Sequence, residues 1–251
     1  MQIPSDNAAE NTAVQPGTKL APVIEVRDAH KTYRVGTVDI HALAGVDFTL
    51  DKGDVCCIVG RSGSGKSTLL NVLAGLEHPT CGEIIIARQH IERMTQSELI
   101  VFRQRHVGFI FQSFNLMPYY TALENVALPL SFRGVSKKKR MHMALEMLKA
   151  VGLASHRNHK PAQLSGGQQQ RVGIARALVS NPEIVFADEP TGNLDSSTSD
   201  EVMRMIVDIS REQQRTLIMV THDPNIALFA DKVIHLLDGR ITDMDIQQTN
   251  A

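Results

Sequence analysis

The sequence predicts an α/β fold, in which a mainly parallel sheet alternates its strands with helices. Three apolar segments have the length and composition of buried strands, residues 55–59, 183–189 and 216–220. The first is followed by a glycine-rich loop, residues 60–68, and then by an apolar segment of good helix formers that begins at Leu69. Strand, short loop and helix in this order form the repeating unit of such sheets.

The composition indicates a globular protein. The chain has 251 residues, of which 43% are hydrophobic and 21% charged, enough for one large domain or two small ones. A net charge of -1 gives no overall field that would attract a nucleic acid or an acidic membrane, so we expect no nucleic-acid partner. The three cysteines include no Cys-x-x-Cys pair and are interpreted as buried thiols.

The sequence also bears on where the chain resides. No apolar run reaches the roughly eighteen residues of a membrane-spanning helix. The first residues lack the apolar core of a signal peptide. We therefore expect the chain to stay in the cytosol.

Ahead of the main sheet, the sequence predicts a small antiparallel β layer. Residues 1–20 lack hydrophobic periodicity and are expected to form a mobile tail. Residues 23–28 and 40–50 alternate as strands, and a turn at residues 51–54 leads into the first buried strand. Residues 83–87 have the pattern of a strand that returns to the same layer.

Residues 60–68 match the phosphate-loop pattern G-x-x-x-x-G-K-[ST]. Glycines let the backbone curl around phosphate oxygens, and the following helix N-terminus adds partial positive charge. Lys66 can reach the β- and γ-phosphates, and the Ser67 hydroxyl can bind Mg²⁺. The alternative, a Gly/Ser-rich turn with a chance lysine, is disfavoured by the flanking strand and helix. The residues expected to contact the nucleotide here are Gly60, Arg61, Ser62, Gly63, Ser64, Gly65, Lys66, Ser67 and Thr68.

Gln112 follows a short apolar strand, residues 107–111, at the edge of the sheet where ligands bind. Its amide could ligate Mg²⁺ or orient a water, or it is a polar loop residue. Residues 113–120 carry large apolar side chains, including Tyr119 and Tyr120, in a loop-like stretch. Such a stretch either docks a partner or packs on its own domain.

Helical patterns lie on both sides of this loop. Residues 97–105 have helical periodicity with Ser97 as a candidate N-cap. The pattern is also helical from Thr121 to Leu130, with Pro129 as an interruption. A separate amphipathic helix follows the basic residues 137–140, with Gly152 as its stop.

Two charged features of the helical region carry no predicted site. The basic residues 137–140 are interpreted as a solvated helix start rather than a nucleic-acid patch, because no aromatic residue accompanies them. His156 and His159 lack acidic or cysteine neighbours in sequence. They are therefore interpreted as surface residues rather than metal ligands.

A second glycine-containing helix start lies at residues 164–171, Leu-Ser-Gly-Gly-Gln-Gln-Gln-Arg. Ser165, Gly166 and Gly167 leave the first N–H groups of that helix uncovered by side chains, which favours an anion. The chain therefore contains two helix ends suited to phosphate.

Polar residues end two of the predicted buried strands. Asp188 ends one strand and can hold Mg²⁺, while Glu189, one residue later, can act as general base on an attacking water. His222 follows the strand at residues 216–220 and can contact the γ-phosphate or hold the water in line with Glu189. A strand-terminal histidine on its own would more often be structural.

In combination, these segments resemble the nucleotide-binding subunit of an ABC transporter over about residues 22–242. The resemblance rests on the Walker A loop at residues 60–68, the Q-loop at Gln112, the LSGGQ signature at residues 164–168, Walker B at Asp188 and Glu189, the D-loop at residues 193–195, the switch histidine at His222 and an adenine-stacking aromatic at Tyr33. Tyr33 could instead be a packing residue.

This resemblance implies a P-loop NTPase, RecA-like core with an antiparallel β subdomain and an α-helical subdomain at about residues 113–165. One ABC ATPase domain would span residues 21–242, with tails at 1–20 and 243–251. The implied cofactors are ATP and Mg²⁺. The implied metal ligands are Ser67, Gln112 and Asp188, and the implied catalytic residues are Lys66, Gln112, Glu189 and His222.

The resemblance also implies two kinds of partner. A second copy would bind head-to-tail, so that Ser165, Gly166, Gly167 and Gln168 of one subunit cover the ATP held by Lys66 of the other. Integral membrane permease subunits would dock near residues 112–120. The chain would then lie peripherally on the cytoplasmic face of the inner membrane.

At finer grain, residues 111–116, 121–126 and 190–195 resemble the branch that includes lipoprotein-releasing and macrolide-export ATPases. The implied function is ATP hydrolysis that powers an exporter or a lipoprotein-release or peptide-efflux system through ATP-driven dimerisation. The alternative is a signalling or mechanical ATPase like the cell-division relative, bound to a membrane partner without substrate transport. ATPases of this family that act on DNA or ribosomes are disfavoured, because they carry long insertions or a second nucleotide domain.

Overall fold

Two sheets organise the chain in the computed structural model, which describes residues 21–247. The tail expected at residues 1–20 lies outside the described residues, as do residues 248–251. Among residues 21–247, none of the helices combines the length and the hydropathy of a membrane span.

The smaller sheet is antiparallel and four-stranded, as the sequence predicts for the β layer. Its order is β2-β1-β4-β5. The strands are β1 (Ile24–Val35), β2 (Val38–Leu50), β4 (Cys81–Ile86) and β5 (Gln89–His90).

The larger sheet has six strands in the order β10-β9-β3-β8-β7-β6. All neighbours are parallel except the last hairpin, in which β10 runs antiparallel to β9. β10 continues to Ile246, so its last four residues belong to the segment 243–251 that is predicted to be a C-terminal tail. The strands are β3 (Val55–Val59), β6 (Val107–Ile110), β7 (Ile184–Asp188), β8 (Thr216–Thr221), β9 (Lys232–Leu237) and β10 (Arg240–Ile246).

Helices cover both faces of the parallel sheet. They are α1 (Lys66–Leu73), α2 (Gln96–His106), α3 (Ala122–Phe132), α4 (Lys137–Ala150), α5 (Gly166–Leu178), α6 (Ser196–Glu212) and α7 (Pro224–Ala227). The N-cap predicted at Ser97 is wrong, because Thr95 caps α2 and its side chain accepts a hydrogen bond from Glu98 N. Pro129 lies inside α3 and does not interrupt it.

Strand residues divide the core into two clusters by their alternation. Cys56 and Ile58 pack with α1, α2 and the antiparallel sheet, whereas Val55 and Cys57 pack with α3, α4, α5 and α6. Burial raises the pKa of the Cys57 thiol to about 12. The prediction of buried thiols is correct for Cys56 and Cys57 and wrong for Cys81, which is exposed.

The register of the parallel strands determines which loops meet. Val59 is paired with Thr221, and Asp188 with Val220. The phosphate loop after β3, Glu189 after β7 and His222 after β8 therefore leave the sheet at the same edge, although about 120 to 160 residues separate the first from the other two in sequence.

Candidate active site

A cavity of about 640 Å³ lies at this edge of the sheet. Most of the phosphate loop lines it, together with Glu189 and His222. The lining residues from that loop are Ser62, Gly63, Gly65, Lys66, Ser67 and Thr68. The cavity thus joins three segments that the sequence predicts to act on one ligand.

Glycines in the phosphate loop are required by close backbone approaches. Gly65 has a φ of +102°, and a Cβ there would lie 2.3 Å from the Ala42 carbonyl oxygen. A Cβ on Gly60 would lie 2.3 Å from the Leu236 carbonyl oxygen. The loop is therefore held between β2 and the end of β9, with no room for side chains at these two positions.

The start of α1 is open to an anion. Its N-cap is Gly65, and no side chain caps it. The first N–H groups of a helix have no intrahelical acceptor, so those at Lys66, Ser67 and Thr68 remain available to a ligand.

Lys66 is folded back over its own loop. Its side chain is nearly buried, and Nζ donates to the carbonyl oxygens of Gly60 at 2.8 Å and Arg61 at 2.9 Å. Gly60 and Arg61 do not line the cavity, so their contribution here is to hold the ammonium group. Ser64 does not line it either, and its buried hydroxyl has no hydrogen-bond partner among the described residues.

The chemistry of Ser67 and Asp188 fits a divalent cation. The Ser67 hydroxyl lies 3.5 Å from Asp188 Oδ1. Burial and then the charge of Glu189 raise the pKa of Asp188, and both effects would be opposed by a bound cation. Within residues 21–247, no group of three or more His, Cys, Asp or Glu side chains could hold a metal by itself. A cation here would need hydroxyl and phosphate oxygens as further ligands.

Glu189 and His222 form a hydrogen-bonded pair. His222 Nδ1 and Glu189 Oε1 are 2.9 Å apart. Glu189 has a φ of +42°, a left-handed conformation that is unusual for a residue with a side chain, and its N–H donates to Val220 O at 3.0 Å. This backbone conformation lets two successive carboxylates serve different partners, Ser67 for Asp188 and His222 for Glu189.

Gln112 packs beside this pair without lining the cavity. Its carbonyl oxygen accepts a hydrogen bond from Asn193 Nδ2 at 2.9 Å. Its side-chain nitrogen would lie 2.7 Å from a Cβ on Gly192. The N–H of Gly192 donates to Glu189 O at 3.0 Å and so closes the turn that begins at Glu189. Gln112 therefore contacts the loop that carries Glu189.

Tyr33 is anchored at a second side of the site. Its hydroxyl donates to Glu77 Oε2 at 2.6 Å and interacts with Thr68, which lines the cavity. Lys31 Nζ lies 5.0 Å from the centroid of the Tyr33 ring and 3.3 Å from Glu77. Burial and the Glu77 contact raise the pKa of Tyr33. The ring is not itself among the residues that line the cavity.

Sequence reasoning missed five cavity residues. Strand β2 contributes Ile40, His41 and Ala42, and the β9–β10 turn contributes Asp238 and Gly239. The Asp-Gly pair is a hairpin signal in the sequence, but nothing in it indicates that Gly239 N donates to Ser64 O at 2.9 Å. That contact comes from the pairing of β9 with β3.

The signature segment lies outside the cavity. Ser165 caps α5, its Oγ accepting from Gln168 N at 3.3 Å while Gln168 Oε1 accepts from Ser165 N at 3.0 Å. A Cβ on Gly167 would lie 2.6 Å from Thr198 Cγ2, so glycine is required for α5 to approach α6. The predicted site residues Ser165, Gly166, Gly167 and Gln168 are therefore not brought to Lys66 within one chain.

Comparison with known proteins agrees with this architecture. The family described as ABC transporter matches residues 43–192. A dimeric post-hydrolysis structure of the ATP-binding cassette MJ0796 bound to ADP and Pi superposes with a TM-score of 0.83 at 44% identity, covering 89% of this chain and 98% of that chain. MJ0796 is an uncharacterized ABC transporter ATP-binding protein of Methanocaldococcus jannaschii.

Two further relatives have a similar sequence identity to this chain. The lipoprotein-releasing system ATP-binding protein LolD of Syntrophotalea carbinolica is 46% identical over 88% of this chain and 98% of its own length. The macrolide export ATP-binding/permease protein MacB of Syntrophobacter fumaroxidans is 46% identical over 87% of this chain, which spans only 31% of that relative. The chain therefore belongs to the ABC transporter family, as an ATP-binding subunit that hydrolyses ATP.

Proposed function

We propose that the cavity lined by Lys66, Glu189 and His222 is where ATP is bound and hydrolysed, and that a second copy of the chain completes it. The observation that carries this is the convergence of a cation, a carboxylate and an imidazole from three loops on one cavity. In this proposal the hydrolysis powers a membrane transporter of the exporter or lipoprotein-release type.

Binding begins at the start of α1. The triphosphate oxygens accept hydrogen bonds from the free N–H groups of Lys66, Ser67 and Thr68. Lys66 Nζ exchanges its contacts with the carbonyl oxygens of Gly60 and Arg61 for phosphate oxygens. Because those carbonyls already place the ammonium over the loop, little side-chain ordering remains to be done on binding.

The oxygens of Ser67, Asp188 and Gln112 are the proposed ligands of Mg²⁺. When bound, the ion would neutralise charge on the β- and γ-phosphate oxygens. Ser67 and Asp188 already lie within 3.5 Å of each other. Gln112 differs from the other two in its contacts, because its side chain packs against Gly192 and does not line the cavity.

Glu189 is the proposed general base and His222 its positioning partner. Glu189 accepts the proton of the attacking water as the water approaches the γ-phosphorus. With His222 Nδ1 engaged by Glu189 at 2.9 Å, Nε2 is the ring nitrogen left for a phosphate oxygen or for the water. Tyr33, held by Glu77, offers a ring against which the adenine can stack.

The second copy would supply the start of α5. Since Ser165 Oγ accepts from Gln168 N, its own proton is free to donate to an anion, as are the first N–H groups of α5. The MJ0796 cassette is dimeric in its ADP- and Pi-bound structure. A head-to-tail pair would bring Ser165, Gly166, Gly167 and Gln168 of one chain onto the ATP held by the other, and ATP would then hold the dimer together.

A membrane permease is the proposed second partner, docking near residues 112–120 from the cytoplasmic side. Buried Asn125 fixes this segment by bonding Met117 N and O and Tyr120 O. Tyr119 is nevertheless 85% exposed and Tyr120 43% exposed. A rigid backbone that presents exposed aromatic rings is suited to protein recognition.

Glu189→Gln tests the active site. The variant should bind ATP as the parent does, should lose at least about 1,000-fold in turnover because no base remains, and should accumulate as an ATP-dependent dimer. Turnover by phosphate release and mass by sedimentation measure the two effects. Glu212→Gln, at the exposed end of α6, is the control and should behave as the parent. Turnover near the parent rate would rule out Glu189 as the base.

Tyr119→Ala combined with Tyr120→Ala tests the docking surface. The double variant should lose co-purification of an integral membrane protein with the tagged chain while its basal ATPase rate survives. Ile246→Ala removes an apolar side chain whose exposure, 75%, lies between those of the two tyrosines, and it should not affect co-purification. Unchanged recovery of the membrane protein with the double variant would count against this surface.

A further inference from the structure

His156 and His159 are not the free surface residues that the sequence indicates. Both are partly buried, and their rings lie 5.1 Å apart between α4 and the start of α5. His156 Nε2 is 3.3 Å from the side-chain nitrogen of Gln168, and its Nδ1 is 3.1 Å from Ser155 Oγ. The imidazole of His156 thus touches the residue that closes the cap of α5.

The donor and acceptor roles in this contact are determined by the cap itself. Gln168 Oε1 accepts from Ser165 N at 3.0 Å, so the Gln168 amide must present its NH₂ group to His156. Nε2 of His156 must then be the acceptor, and the ring proton must sit on Nδ1, facing Ser155 Oγ. Turning the Gln168 amide over would place two donors against each other at Ser165 N.

The backbone around His156 is tied to α3. The N–H of His156 donates to Leu153 O at 3.0 Å. The first two N–H groups of α3, at Ala122 and Leu123, donate to His159 O at 2.8 Å and to Arg157 O at 3.0 Å. The imidazole is therefore presented to α5 from a fixed turn rather than from a free loop.

We propose that His156 is a positioning residue for the ATPase reaction, holding Gln168 so that the Ser165 hydroxyl and the first N–H groups of α5 keep the orientation needed by the ATP of a second copy. The inference rests on the proposed function, in which α5 covers that ATP. A dimer contains two such helix ends, so a small loss of order at the start of α5 makes the free energy of association less favourable once in each subunit.

The test uses the Glu189→Gln chain as parent. His156→Ala in that background should weaken ATP-dependent dimerisation about tenfold, measured as a dissociation constant by sedimentation, because one hydrogen bond is lost at each of two ends. ATP binding to the monomer, measured by titration with a fluorescent ATP analogue, should not change. His156→Gln, whose Oε1 can accept from Gln168, should restore most of the dimer affinity.

The chain offers a matched control. His106 Nε2 lies 3.3 Å from the side-chain nitrogen of Gln89, which is the same kind of pair but does not involve the cap of α5. His106→Ala should leave the dimer dissociation constant at the parent value. If it weakens dimerisation as much as His156→Ala does, or if His156→Gln is no better than His156→Ala, the positioning role is wrong.

Hydrogen exchange separates this inference from the proposed function. His156→Ala should speed exchange of the Gln168 amide in the monomer severalfold, since that N–H depends on the cap. If the Glu189→Gln parent forms no ATP-dependent dimer, the proposed dimer function is wrong. Unchanged exchange at Gln168 would overturn the role of His156 whatever the parent does.

Discussion

The two glycine-containing helix starts of this chain, those of α1 and α5, differ in what satisfies their first N–H groups. The start of α1 has no side-chain cap and opens on the cavity with Glu189 and His222. The start of α5 is closed by a reciprocal cap between Ser165 and Gln168 and lines no part of that cavity. One helix end has no side-chain cap of its own, whereas the other is capped from within its own chain.

In the proposed function, this difference assigns the two helix starts different roles: α1 binds the nucleotide within one chain, and α5 acts when two chains associate. Uncapped N–H groups and a held lysine give α1 the means to bind a triphosphate alone. A capped helix end keeps its geometry in the absence of a ligand and still has a hydroxyl proton and N–H groups to offer. Loss of function at α1 should therefore appear in nucleotide binding, and loss at α5 should appear only in reactions that need two chains.

Lys66→Ala should have the largest effect on this comparison. It removes the cation from the open end, so ATP binding should weaken strongly and hydrolysis should fall by at least about 100-fold. Nucleotide titration and phosphate release measure the two losses. Lys52→Ala, in the exposed turn before β3, is the control. Retained hydrolysis in Lys66→Ala would show that the open end is not where the triphosphate is activated.

Ser165→Ala should have an intermediate effect, with a small loss of stability within one chain and a loss of ATPase activity in the two-chain assembly. Loss of the cap should cost about 1 kcal/mol of stability and about 2–4 °C in Tm. Thr95→Ala removes the same kind of cap from α2 and should cost a similar amount. Only Ser165→Ala should also lower the ATPase rate, by about tenfold, because a donor to charged oxygen is lost. Equal ATPase rates in the two variants would remove α5 from the active site.

Asp188→Asn should have the smallest effect on stability. The sign of the Tm difference between variant and parent should depend on whether Mg²⁺ and ATP are present. Because burial and Glu189 raise the pKa of Asp188, folding disfavours the ionised carboxylate. This destabilisation is absent below the ordinary carboxyl pKa, grows as pH rises through it and is complete above the raised value. At pH 7.5 without Mg²⁺ the variant should therefore melt about 1 °C higher than the parent.

Two conditions check that reading of Asp188. The difference in Tm should shrink as the pH is lowered toward the ordinary carboxyl range, where the parent also loses the charge. With Mg²⁺ and ATP present, the parent should gain stability and the variant should not. Thermal melts at several pH values give both results, and a lower Tm for Asp188→Asn at pH 7.5 would contradict the cause assigned to the shift.

Much of the site could be predicted from the sequence because its chemistry is local. A phosphate loop needs its glycines, lysine and serine in a fixed order between a strand and a helix, so residues 60–68 are recognisable alone. The same holds for Asp188, which ends β7, and for Glu189 and His222, which directly follow β7 and β8. Ser97 was mistaken for a cap because Thr95 and Ser97 have the same chemistry, and only the backbone decides which of them accepts from Glu98 N.

What could not be predicted depends on which strands become neighbours. Ile40, His41 and Ala42 enter the cavity because the antiparallel sheet packs against the loop, and Asp238 and Gly239 enter because β9 pairs with β3. The contact of His156 with Gln168 likewise depends on carbonyl acceptors for α3 at Arg157 and His159. No spacing in the sequence encodes these distances.

An α/β protein with two helix ends suited to phosphate follows from the residue order alone, because loop chemistry and hydrophobic period are properties of neighbouring residues. The difference between the two ends becomes visible only in the folded chain. The register of the parallel strands places the start of α1 beside Glu189 and His222. The start of α5 is capped by Ser165 and packs closely against Thr198 of α6, outside that cavity. The physical reason is that packing, and not sequence spacing, determines which groups share a cavity.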